Sequence, residues 1–217
     1  MEEKKYLSSL RFYLLATKLK YKIRSGWDQN HWNIKGDRLE SVAEHIYGTC
    51  ILAITLDANF DFDLDLDRVI KMLIIHEIGE VTIGDITPFD GFCPKRKKAD
   101  ELAAVTEIVG DLIKKDELIS LFKEFDEQET KEAKFAYLCD KLEANIQAKV
   151  YQDMNLQREL DDQTNNVVFK SKKIQELLNN GAKKPWDIWR EWDKEKYTKD
   201  KVFSKLLEYV DKENTNI

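Results

Sequence analysis

Residues that break helices are scarce in this chain, and that scarcity limits its fold more than any other feature. The 217 residues include eight glycines and three prolines. So few turn formers over such a length indicate long helices joined by short connections. Charged residues make up 35% of the chain, as expected for the solvated faces of many amphipathic helices. The sequence therefore predicts an all-α protein that is long enough to bury a proper core.

Apolar residues recur at helical spacing and predict where the helices lie. A first helix is expected over 5–19, and residues 20–40 are predicted to be a loop. Ser41 is expected to cap the next helix, which runs to about residue 58, because Glu44 stands at the capping-box position. Further helices are predicted over 66–79, 98–114, 116–124, 129–153, 168–179, 185–195 and 199–212.

Two loops separate these helices. Aspartates alternate along residues 60–67 as they do in a calcium loop, but the glycine and glutamate of an EF-hand are missing. We interpret this stretch as an acidic loop that caps the next helix. Residues 84–94 contain Gly and Pro and are predicted to be a second loop.

Charge and cysteine content exclude several classes of protein. The net charge of −6 argues against a large nucleic-acid-binding surface, although a small phosphate pocket remains compatible with it. Three widely spaced cysteines form no zinc-finger or disulfide pattern and indicate a reducing cytoplasm. No apolar run approaches the roughly 20 residues of a membrane span, and the N-terminus lacks the apolar core of a signal peptide. We expect a cytoplasmic protein that binds neither membranes nor nucleic-acid polymers.

The stretch KMLIIHEIGEVTIGD, residues 71–85, places charged groups at the end of an apolar run. Its titratable residues are His76, Glu77, Glu80 and Asp85. On one continuous helix, His76 and Glu80 would share a face. Because a buried charge costs several kcal/mol unless it is paired or bound to metal, this stretch is a candidate metal site.

Two other predicted helices carry residues that can bind metal in apolar surroundings, His45 and Asp140. Imidazole and carboxylate together suit Zn²⁺, Mn²⁺, Fe²⁺, Co²⁺ or Ni²⁺. Each residue alone has a plainer explanation, a hydrogen-bonded core histidine or an aspartate paired with Lys134 or Lys141. The combination favours a metal site, because two of the chain's three histidines fall in these helices.

Three segments of the chain resemble the HD-domain metal-dependent phosphohydrolases. They contain a histidine, a His-acid dipeptide and a distant aspartate, in the sequences SVAEH, HEIGEVTIGD and YLCDKLEAN. More specifically, the chain is similar to the branch that contains the 5′-deoxynucleotidases. Three patterns of that branch occur here, R-[ST]-G-W at 24–27, E-S-V-[SA]-[ED]-H at 40–45 and E-x-x-x-G-D at 80–85. The resemblance covers roughly residues 5–155.

The resemblance implies a fold and an activity. The expected fold is a single-domain, HD-domain-like helical bundle, with the phosphohydrolase core in 1–155 and a helical extension packed on it in 156–217. The expected activity is hydrolysis of (deoxy)nucleoside 5′-monophosphates to nucleoside and phosphate by a metal-dependent phosphomonoesterase. The substrate would be a small nucleotide, and the cofactor one divalent ion among Co, Mn, Zn, Fe, Ni and Mg.

The resemblance also implies roles for individual residues. The expected metal ligands are His45, His76, Glu77 and Asp140. Glu80 and Asp85 would be the acids around the attacking water and the leaving oxygen, with their division of roles open. Arg24 would fork onto phosphate oxygens, and Trp27 would pack against the sugar on its 2′ side.

Two departures from the family pattern leave alternatives open. Glu77 replaces the usual aspartate, so a catalytically weak HD-like protein that only binds nucleotides is one alternative. The segment after Trp27 is longer than usual, which brings His31 and Trp32 toward the substrate edge. An H-E-x-x-H metalloprotease is disfavoured because Glu80 stands in place of the second histidine. A helical scaffold without any site is the remaining alternative.

The remaining features have structural explanations as their default. Trp186, Trp189 and Trp192 share one side of a predicted helix, where packing on the bundle is expected and a homodimer interface is the alternative. Lys95–Lys98 is expected to be an exposed helix start, although this cluster and Arg38 could also meet anions.

Overall fold

The computed structural model describes residues 2–215, and helices dominate that part of the chain. The α-helices are α1 (Glu2–Ala16), α2 (Val42–Asn59), α3 (Leu66–Ile75), α4 (Glu80–Ile83), α5 (Pro94–Val109), α6 (Lys115–Glu127), α7 (Lys131–Asp153), α8 (Lys172–Asn179), α9 (Pro185–Tyr197) and α10 (Lys201–Lys212). Short 3-10 turns occupy Thr17–Tyr21, Ser25–Trp27, Leu160–Gln163 and Val167–Lys170. Over the described range, extended pairing is confined to an isolated antiparallel bridge between Ile23 and Ser41. The predicted all-α class is confirmed.

Local signals predicted the starts of two helices correctly. The Ser41 hydroxyl accepts from the Glu44 amide at 3.2 Å, and the Glu44 carboxylate accepts from the Ser41 amide at 2.8 Å. This capping box begins α2 at the expected residue. The Asp65 carboxylate accepts from the Arg68 amide at 3.0 Å and caps α3. The acidic loop therefore serves as the predicted cap.

The predicted helix over 66–79 is wrong, because α3 ends at Ile75 and a turn separates it from α4. The Ile78 amide bonds to the Ile75 carbonyl, and the Glu80 amide to the Glu77 carbonyl, both at 3.0 Å. This three-residue spacing tightens the backbone and ends the regular helix. His76 and Glu80 therefore do not share a face of one helix.

The predicted helix over 98–114 also differs from the structure. The observed α5 begins at Pro94 and ends at Val109. Proline suits the first position of a helix, since its fixed φ is helical and the helix needs no donor there. Beyond Val109, residues 110–113 form turns before α6.

Contacts group the chain into two compact units. The first contains the chain up to Ile23 together with Ser41–Cys139, and the second contains Arg24–Glu40 together with the chain from Asp140 onward. The division falls within α7. The separation of a core over 1–155 from an extension over 156–217 stays a prediction.

An apolar cluster in the first unit fixes the turn that follows α3. Its buried members are Ile75, Ile78, Val105, Ile108 and Phe122, with Phe12 and Ala16 of α1 packed against them. Ile75 and Ile78 immediately flank His76 and Glu77 in sequence. Their burial therefore holds these two polar residues in one orientation.

The second unit is built around tryptophans. Trp186 is buried, and its indole N–H donates to Asp211 at 2.6 Å. Trp189 packs against Trp32, with ring centroids 5.5 Å apart. Trp192 lies under the Lys173 ammonium, which is 5.0 Å from its ring centre. The three tail tryptophans thus have packing partners within their own unit.

An ion pair between α3 and α6 should contribute to stability in a pH-dependent way. The Arg68 guanidinium forks onto Glu124 and lowers the pKa of that carboxyl. A lowered pKa adds stability above the ordinary pKa of a glutamate, and that stability is lost as the pH falls below it. Because Arg68 is half exposed, we expect Arg68→Gln to cost about 0.2–1 kcal/mol at pH 7 and less at pH 3.

Urea unfolding of wild type and variant at both pH values measures this difference. Arg96→Gln is the matched control, since Arg96 is 77% exposed and 3.6 Å from Asp100. An equal loss for Arg68→Gln at both pH values would contradict the assignment.

Candidate active site

His76 is held by its backbone neighbourhood. It is the residue that follows α3, and its ring Nδ1 lies 2.6 Å from the Leu73 carbonyl oxygen. A carbonyl only accepts, so Nδ1 carries the proton and Nε2 carries the lone pair. Nε2 lies 3.4 Å from the Glu77 carboxylate, and the ring packs on Phe125 at 4.7 Å. This tautomer is the one that can bind a metal through Nε2.

His45 is completely buried in α2 and faces the same carboxylate. Its Nε2 lies 3.9 Å from Glu77 Oε1, and its ring centroid is 5.9 Å from that of His76. Two imidazoles thus converge on one carboxylate. This is a ligand set that first-row divalent metals accept.

Asp140 joins this group from α7. It is buried at 3% exposure, with its carboxylate 2.7 Å from the Lys141 ammonium. The pairing with Lys141 is therefore present, but Asp140 does not belong to a surface stripe. The ligand atoms of His45, His76, Glu77 and Asp140 all lie within 4.8 Å of one another. The four predicted ligands come together, and ligation by each of them stays a proposal.

The spacing of the donors suits one central ion. Metal–ligand bonds of about 2.0–2.3 Å place neighbouring ligand atoms roughly 3–4.5 Å apart. Glu77 lies 3.4 Å from one imidazole nitrogen and 3.9 Å from the other. The longer side chain of glutamate therefore still reaches the position that an aspartate would serve.

Glu80 and Asp85 follow the metal-capable residues along the chain. Glu80 opens α4 and is buried, and its amide bonds to the Glu77 carbonyl at 3.0 Å. Its own carbonyl accepts from the Lys22 ammonium at 2.5 Å. Gly84 ends α4 with a φ of 93°, a conformation that favours glycine, and Asp85 follows it half-buried. The backbone is thus fixed on both sides of this short helix.

Trp27 is fixed in the interior of the second unit. Its indole N–H donates to Glu40 Oε2 at 2.7 Å, and its ring packs on Tyr151 and Trp189 with centroids 5.2 and 5.1 Å away. Only 1% of its surface is exposed. Arg24 is half-buried, and its amide donates to the Glu40 carbonyl at 3.0 Å. The substrate contacts of both residues stay predictions.

Comparison with known proteins identifies the family. A family model described as HD domain matches residues 16–183 of this chain. The chain belongs to the HD domain family. It is 32% identical over 151 residues to the protein named 5′-deoxynucleotidase HDDC2 from Homo sapiens, covering 68% of this chain and 70% of that one. The predicted resemblance to HD phosphohydrolases of the 5′-deoxynucleotidase branch is confirmed.

Solved structures share the fold of this chain. A conserved hypothetical protein from Pyrococcus furiosus is 23% identical, with a TM-score of 0.66 over 94% of this chain and 99% of that one. A predicted metal-dependent phosphohydrolase from Magnetospirillum magnetotacticum is 25% identical, with a TM-score of 0.59 over 70% of this chain and 74% of that one. Within residues 2–215, no helix is both long and apolar enough to cross a membrane.

Sequence reasoning missed two residues near the HD site. Lys22 supports the carbonyl of Glu80, yet no motif distinguishes it from other lysines. Burial raises the pKa of the Glu101 carboxyl, and the charge of Glu77 raises it further against the opposing effect of Lys97. Glu101 follows Lys97 by four residues, so the sequence alone indicates only a surface ion pair between the two. Only the packing of α5 brings it toward Glu77.

Other predicted positions have simpler surroundings. His31 is buried with Nδ1 2.8 Å from Asp28, and Trp32 is buried against Phe169, so both are fixed inside the second unit. Arg38 is exposed. Lys95–Lys98 begins α5 at the surface, as expected.

Loss of one ligand should abolish tight metal binding. We expect His76→Ala and Asp140→Ala to retain less than a tenth of the wild-type metal content, because the remaining donors cannot complete the site. Inductively coupled plasma mass spectrometry after dialysis measures the content. His31→Asn is the matched control, since it changes a buried histidine outside the cluster and can keep a hydrogen bond to Asp28. Folded variants with wild-type metal content would contradict the site.

Proposed function

We propose that this chain is a metal-dependent 5′-deoxynucleotidase that hydrolyses deoxynucleoside 5′-monophosphates to nucleoside and phosphate. The observation that carries the proposal is the convergence of His45, His76, Glu77 and Asp140 in a chain of the HD domain family. One divalent ion bound there would lower the pKa of a water toward about 7 and offset phosphate charge. The relatives named 5′-deoxynucleotidase support the choice of substrate.

Glu80 and Asp85 are the proposed proton-transfer groups. One would accept the proton of the attacking water, and the other would protonate the departing 5′-oxygen. Glu80 is buried and lies one turn beyond Glu77, a proposed ligand. Its carbonyl accepts from the Lys22 ammonium, which fixes the backbone at this position.

Arg24 and Trp27 are the proposed substrate-binding residues. The Arg24 guanidinium would fork onto two phosphate oxygens. Trp27 would bound the sugar on its 2′ side as a rigid edge, only at the 1% of its surface that the interior packing leaves exposed, because Glu40 and two aromatic rings fix it. Its N–H is already donated to Glu40 and offers nothing to a 2′-hydroxyl. A ribonucleotide would therefore bury that hydroxyl without a partner, which costs about 1–3 kcal/mol.

Catalysis is favoured over nucleotide binding without turnover. Binding without turnover would require that Glu77, in place of the usual aspartate, prevents metal binding. The Glu77 carboxylate instead lies between the Nε2 atoms of His45 and His76 at distances that ligands of one ion adopt. Substitution of aspartate by glutamate is thus compatible with a complete ligand set.

The proposed substrate is a free nucleotide and not a nucleic-acid polymer. A net charge of −6 disfavours binding of a long phosphate backbone but permits binding of one phosphate group at a metal cation. The cytoplasmic location stays a prediction.

The proton-transfer roles can be tested by isosteric variants. We expect Glu80→Gln and Asp85→Asn each to lower kcat at least about 10²-fold with the metal still bound, because the amide cannot transfer the proton. Phosphate release from a panel of deoxy- and ribonucleoside monophosphates measures the rate. Glu107→Gln is the control, since Glu107 is exposed on α5. Unchanged rates in both variants would remove the two acids from the mechanism.

Sugar selection can be separated from phosphate binding. We expect a deoxy-over-ribo preference in kcat/KM of about 5- to 150-fold, since each 1.4 kcal/mol is tenfold. Trp27→Phe should reduce this ratio, because the smaller ring no longer fills the 2′ side of the sugar. Arg24→Lys should raise KM for both substrates alike, since an ammonium cannot fork. A ratio that is unchanged in Trp27→Phe and in Trp27→Ala would show that Trp27 does not select the sugar.

A further inference from the structure

Helix α4 is too short to hold its own shape, although the two proposed proton-transfer groups depend on it. It spans four residues, Glu80–Ile83, so Glu80 is its first residue and Asp85 follows two residues after its end. Isolated helices shorter than about 12–15 residues are marginal in water, so contacts with other segments must fix this one. The positions of Glu80 and Asp85 therefore depend on the segments that hold α4.

Apolar packing holds one side of α4. Val81 packs against the core cluster of the first unit. Gly79, which precedes α4, approaches α5 so closely that an added Cβ would lie 3.1 Å from the Glu101 carbonyl oxygen. Because apolar contacts are non-directional, they do not by themselves fix the rotation of so short a helix.

A lysine supplies a directional contact to α4. The Lys22 ammonium donates to the Glu80 carbonyl oxygen at 2.5 Å, and this contact is partly buried. The same carbonyl accepts from the Gly84 amide at 3.0 Å, which closes the one turn of α4. The ammonium also lies 3.9 Å from the position that a Cβ on Gly84 would occupy. Lys22 thus lies at the C-terminal end of α4, where the helix dipole favours a cation.

The backbone of Lys22 is fixed to the start of α2. Its carbonyl accepts from the Val42 amide at 2.8 Å, and the next residue, Ile23, forms the antiparallel bridge with Ser41. Val42 is the first residue of α2 and is completely buried, and His45 lies one turn farther along this helix. Lys22 therefore connects α2 to α4, the first through its backbone and the second through its side chain.

We propose that Lys22 is a positioning residue for nucleotide hydrolysis. This role rests on the proposed function and deepens it. Lys22 acts through the backbone of α4 and holds Glu80 and Asp85 in a fixed position relative to His45. Proton transfer needs heavy atoms about 2.6–3.2 Å apart or joined by one water, and a displacement of about 1 Å can cost about 10²-fold in rate. A link between the two helices is thus matched to the precision that the reaction requires.

Other roles for Lys22 predict different kinetics. A lysine that only stabilised the fold would change the free energy of unfolding and leave kcat of the folded molecules unaltered. A substrate-binding lysine would raise KM when it is removed. A positioning residue lowers kcat of the folded, metal-loaded enzyme and changes KM little. Donation by Lys22 to a main-chain carbonyl of the protein favours positioning over substrate binding.

Replacement of the ammonium tests the proposal, since Lys22→Met keeps the apolar stem. With deoxynucleoside monophosphates we expect kcat for phosphate release to fall about 10- to 100-fold, with KM within about twofold of wild type and metal content unchanged. Lys22→Arg should recover at least about a third of the wild-type kcat, because a guanidinium can donate to the same carbonyl. Lys20→Met is the matched control, since Lys20 is exposed in the 3-10 turn that precedes Lys22.

Hydrogen exchange provides a measurement that does not depend on activity. The Gly84 amide is protected by its hydrogen bond to the carbonyl that Lys22 also contacts. We expect this amide to exchange at least about tenfold faster in Lys22→Met and at the wild-type rate in Lys20→Met. Exchange followed by NMR, with urea unfolding of the same samples, separates local opening of α4 from loss of the whole fold. If Lys22→Met does not fold, Lys22→Gln takes its place with the same expectations.

Several outcomes would overturn the proposal. An unchanged kcat in Lys22→Met, even with faster exchange at Gly84, would make Lys22 a structural residue only. A higher KM at unchanged kcat would assign it to substrate binding, and a parallel loss of metal would place its effect at the metal site. A wild type that releases no phosphate from any nucleotide would instead refute the proposed function, and with it this role, whatever the exchange rate of Gly84.

Discussion

The contact that the site depends on most is the close approach of α5 to the turn after α3. A Cβ on Gly79 would lie 3.1 Å from the Glu101 carbonyl oxygen of α5, so only glycine lets the two segments meet without displacement. Ile78 beside it is buried in the cluster that α5 and α6 complete. The turn over residues 76–79 thereby packs directly against α5. Its two polar residues, His76 and Glu77, point away from that cluster and toward His45.

This arrangement explains how the HD site tolerates so many buried titratable groups. A buried carboxylate is expensive unless cations or donors surround it. The Leu73 carbonyl selects the tautomer of His76, and Lys141 lies beside Asp140. A divalent ion among the four residues would compensate the remaining charge. The cluster therefore has the chemistry to hold a metal ion, and ligation by its members stays a proposal.

Helix α1 and residue Glu40 each use two different sides or groups. Helix α1 uses Phe12 and Ala16 to complete a core and leaves an apolar stripe outside. Glu40 accepts the Trp27 indole with its side chain, while its amide donates to the Tyr151 hydroxyl at 2.9 Å. The adjacent Ser41 then begins α2, the helix of His45. Hydrogen bonds from Arg24 and Trp27 thus tie the Arg-Ser-Gly-Trp loop to Glu40.

The sequence by itself determined what depends on neighbours a few residues away. Apolar spacing predicted most helices, and the capping box at Ser41 and the cap at Asp65 began α2 and α3 where expected. The residue types indicated a metal site, and the resemblance to the HD-domain phosphohydrolases implied its members, His45, His76, Glu77 and Asp140, which do lie together.

Only the tertiary structure decided where α3 ends, because that end depends on α5 packing at Gly79 and not on the propensity of residues 76–79. For the same reason Lys22 and Glu101 could not be found in advance. Each comes to the site through contacts between residues far apart in sequence. The burial of Trp27 by Tyr151 and Trp189 was decided in the same way. Local patterns fix helix starts and ligand types, whereas close approach and burial arise only when distant segments pack together.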